Sequence, residues 1–125
     1  MRSYDVVIAA LAIGAPLKWA DNTISQHDVE GVVQTRRGIA RRVSFPGLVR
    51  LAVIRQLHVD LGVSVKDGVR IAGELLDSET VGVHASGHLL LTVNLPELER
   101  TLHRRLADAL ESAPSPRRGR PPKGR

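Results

Sequence analysis

One stretch decides the fold: RRVSFPGLVRLAVIRQL, residues 41–57. Its first residues are basic and β-prone, and Ser44 belongs to the residue types that cap helix N-termini. From Phe45 onward, apolar side chains recur at spacings of three and four, which predicts a helix to about Asp60 with Gly62 as its stop. The apolar stripe of this helix consists of Leu48, Leu51, Ile54, Leu57 and Leu61. The stretch therefore predicts a short strand that leads directly into a long core helix.

Before this helix, two short β-prone runs predict a hairpin with a basic turn. The runs are residues 31–34 and 39–43, and Arg36-Arg37-Gly38 lies between them. The hairpin would project four arginines together, and they fall within seven residues: Arg36, Arg37, Arg41 and Arg42. With Arg50, they form a basic block in mid-chain that contains no acid. This block predicts a local basic surface.

The N-terminal part predicts two short helices around a tight turn. Ser3 is predicted to cap the first helix, which runs to about Ile13, and Gly14-Ala15-Pro16 breaks it. A second helix is predicted from about Pro16 to His27. Its apolar side is predicted to be Leu17, Ala20 and Ile24, and its polar side Lys18, Asp21, Asn22, Ser25 and Gln26. This arrangement is a candidate helix-turn-helix.

After the long helix, the chain predicts a fourth helix and then a hairpin-and-helix unit. Ser64-Val65-Lys66-Asp67 resembles a capping box, and the helix that follows is predicted to bury Val65, Val69, Ala72 and Leu76. Residues 81–84 and 88–93 predict a hairpin around Ala85-Ser86-Gly87. Pro96 then opens a last helix with a leucine at every fourth position, Leu98, Leu102, Leu106 and Leu110. This stripe is predicted to pack on the body or on another copy of the chain, as a homodimer contact.

Charge is concentrated at the C-terminus. The formal net charge is +5, and five of the 18 Lys and Arg residues fall in the last nine positions, which leaves 13 to balance the 13 Asp and Glu. We therefore divide the chain into a winged domain, 1–77, a hairpin-and-helix unit, 78–112, and a basic tail, 113–125. The tail contains only Pro, Gly, Ala, Ser and basic residues, which predicts disorder in the unbound state.

The tail contains the run Pro116-Arg117-Arg118-Gly119-Arg120-Pro121-Pro122-Lys123, which resembles an AT-hook. Gly119 would let the backbone lie deep in a narrow groove, and Pro121 would keep the chain extended. Arg118 and Arg120 would then follow the floor of an A·T-rich minor groove, which is narrow and strongly negative. The resemblance implies a preference for A·T-rich duplex DNA. The alternative is a solvated basic tail that contacts any polyanion.

The order of predicted elements in residues 4–76 is helix, turn, helix, basic hairpin, long helix and capped helix. This order resembles the MerR-like winged helix-turn-helix domains, and the clearest local similarity is in residues 41–57 and in Leu61-Gly62-Val63-Ser64-Val65. The resemblance implies a recognition helix at 16–27 in the major groove and a wing at 36–42 along the DNA backbone. The chain departs from the family in having no cysteine and in the β-like stretch at 81–93.

The polar face of the second predicted helix carries suitable chemistry for DNA. Asn22 and Gln26 are four residues apart, and their amides are suited to pair with adenine edges. Lys18 and Ser25 are suited to anchor phosphates. For each of these residues, the alternative is an ordinary solvated surface position.

The sequence lacks the residues that several other classes of function require. The absence of cysteine excludes thiolate metal sites, and the five histidines show no metal-ligand spacing. Since no phosphate loop, paired carboxylates or catalytic triad is recognisable, we expect no enzyme, cofactor or metal. The apolar start, residues 6–13, is too short to span a bilayer.

We therefore expect a mainly α, cytoplasmic protein, with a winged helix-turn-helix, a small β-hairpin wing, a second hairpin plus helix, and a disordered basic tail. Its expected partner is double-stranded DNA, and its expected role is that of a bacterial transcription regulator or nucleoid-associated protein. The alternative is a protein-interaction module such as an antitoxin or a phage-derived adaptor. Such a module would not depend on the basic segments.

Overall fold

The computed structural model describes residues 2–34, 40–77 and 83–112. This part of the chain is mainly helical and contains a small three-stranded antiparallel sheet. In chain order the elements are β1 (Ser3–Tyr4), α1 (Val6–Ile13), α2 (Leu17–Gln26), β2 (Val32–Val33), β3 (Arg42–Ser44), α3 (Phe45–Leu61), α4 (Val65–Asp77), β4 (Val83–Ser86), β5 (Leu89–Thr92) and α5 (Leu95–Ser112).

The three-stranded sheet has the order β1-β3-β2. Val43 is its centre, with Tyr4 of β1 on one side and Val32 of β2 on the other. The antiparallel pairing of β2 with β3 confirms the predicted hairpin stem. The predicted turn, with Arg36 and Arg37, lies outside the described residues.

The first strand corrects the prediction that Ser3 caps the first helix. Ser3 lies in β1 opposite Ser44, and Asp5 caps α1 by accepting a hydrogen bond from the Ile8 backbone N–H at 2.8 Å. Pairing with β3 holds Ser3 in an extended backbone conformation, so Asp5 is the next suitable side chain that can cap α1. The Asp5 carboxylate also lies at the positive end of the helix dipole, which favours it there.

The predicted caps of the long helix are confirmed. The Ser44 hydroxyl accepts a hydrogen bond from the Gly47 N–H at 3.3 Å, and α3 ends at Gly62. A close backbone approach fixes the start of this helix against the hairpin. A Cβ on Gly31 would lie 2.5 Å from the Gly47 backbone, so glycine at these two positions allows the two backbone segments to be in contact.

The core is built around α3, with Leu48, Leu51 and Ile54 fully buried at its centre. The predicted stripe is wrong at its end, because Leu61 is 61% exposed. In α4 the fully buried leucine is Leu75, whereas the predicted Leu76, Val65 and Val69 are only partly buried. In α2 the predicted Leu17 is about half exposed, and Thr23 is buried beside Ala20 and Ile24.

The last helix packs on the body of the chain. Leu102 and Leu106 are buried in the same core as α1 and α3, Leu98 is partly buried against it, and Leu110 is exposed. Of the two predicted roles for this stripe, packing on the body is therefore the one observed. The predicted homodimer contact through Leu98, Leu102, Leu106 and Leu110 is wrong for its two central leucines, which are already covered.

None of the described helices combines the length and apolarity that crossing a bilayer requires.

Candidate nucleic-acid interface

The second helix of the candidate helix-turn-helix is attached to the body by one face and exposed on the other. Ala20, Thr23 and Ile24 are buried, and Thr23 satisfies its hydroxyl by donating to the Trp19 carbonyl at 2.8 Å. The predicted contact residues are all on the exposed side: Lys18, Asn22, Ser25 and Gln26. The structure thus brings these four residues together on one accessible helix face.

The four predicted contacts differ in how available their polar groups are. The Ser25 hydroxyl donates to the Asn22 carbonyl at 3.1 Å, so its proton already has an acceptor within the helix. To donate to a phosphate, Ser25 must give up that hydrogen bond. The side-chain amides of Asn22 and Gln26 and the Lys18 ammonium are exposed, which makes them the stronger candidates on α2.

The charge of this face is balanced. Lys18 is its cation, and Asp21 is an exposed anion three residues later. An acid on the face repels the phosphates that a neighbouring lysine attracts. The exposed face of α2 therefore offers hydrogen-bonding chemistry but little net positive potential, and a polyanion must be attracted mainly by other parts of the chain.

The base of the hairpin carries an ordered arginine. The Arg42 guanidinium donates from Nε to the Ser3 hydroxyl at 3.1 Å and from Nη2 to the Ser3 carbonyl at 2.6 Å. Arg42 remains exposed, whereas the neighbouring Arg41 is half-buried. The side chain of Arg42 is thus held in place against β1 while part of its guanidinium still faces solvent.

One exposed basic residue outside the predicted set lies next to β1. Arg2 directly precedes Ser3, is exposed, and has its guanidinium carbon 5.3 Å from the centre of the Tyr4 ring. It was missed because the pairing of β1 with β3 joins residues about 40 positions apart. A two-residue strand is too short to show a periodicity, so the local sequence gave no signal for it.

The structure removes Arg50 from the predicted basic block. Its side chain is nearly buried, and it forms ion pairs with Glu30 at 3.3 Å and with Asp77. Two carboxylates around one guanidinium leave no positive charge for a partner. Arg55 lies elsewhere, with its guanidinium 5.0 Å from the centre of the Trp19 ring. Of the mid-chain block, Arg41 and Arg42 are the members that the structure describes near the hairpin.

Two of the described histidines, His58 and His103, make structural contacts. His58 bonds through Nδ1 to the Val63 carbonyl at 2.8 Å and stacks near Trp19, and His103 stacks on Phe45. Within residues 2–34, 40–77 and 83–112, there is no group of three metal-ligating side chains.

The tail residues proposed for the minor groove lie outside the described residues, and so do Arg36 and Arg37 of the wing. The tail set is Arg117, Arg118, Gly119, Arg120, Pro121 and Lys123. Comparison of the whole chain with family models, curated proteins and solved structures finds no match.

Proposed function

We propose that this chain binds double-stranded DNA, with residues 4–76 acting as a winged helix-turn-helix module. In this proposal α2 enters the major groove, the β2–β3 hairpin is the wing, and residues 116–123 bind an A·T-rich minor groove. The observation that supports the proposal best is the exposed polar face of α2, which carries Lys18, Asn22 and Gln26 opposite a buried face. A regulatory or nucleoid-associated role would follow from such binding.

The two amides of α2 are spaced for base recognition. Residues four apart on a helix are neighbours, with Cβ atoms about 5–6 Å from each other. An amide can both donate to and accept from the major-groove edge of adenine, and such a bidentate pair discriminates against a wrong base by about 1–3 kcal/mol. Asn22 and Gln26 would therefore supply sequence preference rather than bulk affinity.

Affinity would come from the arginines of the hairpin and the tail. The α2 face is neutral overall because Asp21 offsets Lys18. By contrast, the hairpin segment has four arginines and the last nine residues have five basic side chains, with no acid in either set. Neutralising phosphates releases condensed counterions, which is the main source of sequence-independent binding.

Arg42 is the described residue best prepared for a phosphate. A guanidinium has five N–H donors, and the two hydrogen bonds to Ser3 engage two of them. The remaining donors can reach an anion without first ordering the side chain, so less conformational entropy is lost on binding. Arg2, which directly precedes β1, would add a further exposed guanidinium next to this strand.

The proposal is tested by selecting a preferred duplex from a random library with the full chain and then measuring variants on it. Asn22→Ala and Gln26→Ala should each reduce the preference for the selected over a scrambled duplex by at least about fivefold. Lys66→Ala, on the exposed side of α4, is the control and should leave that preference unchanged. Unchanged discrimination in both variants would remove α2 from the interface, and failure to enrich any duplex would contradict the proposed sequence preference.

A further inference from the structure

The second hairpin has an open edge. β4 and β5 form a two-stranded antiparallel sheet closed by the two-residue turn Gly87-His88. Gly87 has a φ of 59° at the first position of the turn, as a type II′ hairpin requires. Because α4 contacts β4, the strand farther from α4 is β5. Its second edge pairs with no strand in the part of the chain that the structure describes.

This open strand is apolar on both faces. Leu89 is 77% exposed and Leu90 is 67% exposed, and consecutive strand residues point to opposite faces. Edge strands of soluble proteins are usually protected by Lys, Pro or a bulge. The sequence of β5 is Leu89-Leu90-Leu91-Thr92, which has neither a charge nor a proline. An unprotected edge of this kind is suited to pairing with another strand.

The apolar surface continues from β5 into a groove. A cavity of about 690 Å³ lies between α3, β5 and α5, and Leu91 and Val93 form part of its wall. Val59 and Leu61, at the exposed end of α3, line the same groove. Large contiguous apolar patches are rare on monomers and usually mark an interaction surface. The open edge and the groove therefore belong to one surface.

We propose that this surface is a homodimer interface in which β5 pairs antiparallel with β5 of a second copy. The residues that flank a two-residue hairpin turn, here Ser86 and Leu89, exchange backbone hydrogen bonds. The alternation along the strand then directs the N–H and C=O of Leu90 and Thr92 to the open edge. These groups are the donors and acceptors that a second strand needs.

One register makes the two strands self-complementary. A two-fold axis perpendicular to the sheet places residues of the same face opposite each other. With the axis at Leu90, Leu90 of one copy lies opposite Leu90 of the other, and Leu89 lies opposite the partner's Leu91. All three leucines are then matched with leucines. Because Leu91 forms part of the groove wall, the partner's Leu89 is brought to the groove, and both grooves gain an apolar side chain.

The charges also favour a second copy of this chain as the occupant. The strand carries no charged residue, so like charges do not meet on the axis. The groove lining contains two cations and two anions, Arg55, Arg105, Asp60 and Glu97. Such a balanced lining does not repel an identical lining, and an interface that combines an apolar centre with polar surroundings is usual for dimers. This pairing does not depend on DNA binding.

The test is the mass of the full chain in solution, measured by sedimentation equilibrium from about 1 to 100 µM. We expect a dimer whose dissociation constant rises at least about a hundredfold in Leu90→Lys, since both copies lose a buried leucine. Leu11→Lys changes an exposed leucine on α1 and is the control, expected to dimerise like the wild type. Thermal unfolding of both variants verifies that they fold.

Cross-linking tests the register. The chain has no cysteine, so Leu90→Cys introduces a single thiol. Hydrogen-bonded pairs have Cα atoms about 5.5 Å apart, within the range that a disulfide spans, so Leu90→Cys should form a covalent dimer on mild oxidation. Leu11→Cys should not. A wild-type chain that stays monomeric at 100 µM overturns the proposal. A strand of another protein is then the alternative partner for the open edge of β5. A dimer unaffected by Leu90→Lys, or one that Leu90→Cys does not cross-link, also overturns it.

Discussion

His103 of α5 stacks on Phe45, the first residue of α3, with ring centroids 4.1 Å apart and ring planes inclined by 11°. Phe45 directly follows the strand of the hairpin, so this contact joins the C-terminal helix to the start of the helix that supports the candidate wing. The segment after residue 77 is thus tied to the N-terminal part by a specific side-chain pair as well as by the shared core.

This stack predicts a stability effect. Phe45→Ala should lower the free energy of unfolding by about 2 kcal/mol, since a half-buried phenylalanine loses part of the 3–5 kcal/mol typical of a core position. His103→Ala should lower it by about 1 kcal/mol. Urea unfolding of both single variants and the double variant gives the coupling energy, which we expect to be about 1 kcal/mol. Purely additive effects would contradict a direct interaction.

The contact between Gly31 and Gly47 predicts a second effect. A Cβ at Gly47 would lie 2.8 Å from the Gly31 carbonyl oxygen, a backbone atom that cannot move aside. Gly47→Ala should therefore destabilise the fold by about 1–3 kcal/mol, although alanine is otherwise the better helix former. Gly73→Ala in α4 is the matched control. Its Cβ meets only ordinary contacts near 3.8 Å, and the change should stabilise the protein by up to about 1 kcal/mol. Equal melting temperatures for the two variants would contradict the close approach.

The balanced charge of α2 predicts opposite effects of two neighbouring substitutions. Asp21→Ala should increase the affinity for any duplex, and Lys18→Ala should decrease it by about tenfold at low salt, because a phosphate contact is lost. Fluorescence anisotropy on one selected and one scrambled duplex measures both. If the two substitutions shift the affinity in the same direction, α2 does not lie against the DNA backbone.

The basic tail predicts a sequence-dependent loss. Deleting residues 114–125 should weaken binding to an A·T-rich duplex more than to a G·C-rich duplex, since arginines gain most in a narrow and negative minor groove. The two affinities are compared at the same salt concentration. Equal losses on both duplexes would remove the minor-groove assignment and leave a general polyanion contact.

Local signals in the sequence sufficed for the helix ends. Helix α3 begins after Ser44 and ends before Gly62, as predicted. Helix caps can be predicted because they depend on the residue at the helix end and on its near neighbours in the sequence. The stem of the hairpin was also predicted, because its two β-prone runs are close to each other in the sequence. Periodicity also indicated that a leucine face of α5 is buried, but it could not show that α1 and α3, and not a second copy, cover that face.

The remaining features depend on residues far apart in the chain. Ser3 became a strand residue through its pairing with Ser44, and Arg50 was neutralised by Glu30 and Asp77, which lie 20 and 27 positions away. Neither contact can be recognised from the residues that adjoin its partners in the sequence. Leu61 fits the periodic stripe, but it lies at the end of α3, where it remains exposed.

The central claim, that the arginines of the hairpin and tail bind duplex DNA, is tested most directly by the salt dependence of affinity. If about six phosphates are contacted, the association constant of the full chain should fall on the order of 10³-fold between 50 and 200 mM salt. Arg36→Ala combined with Arg37→Ala should make this dependence shallower. A full chain that shows no duplex binding at 50 mM salt, or binding that salt does not weaken, would contradict the claim.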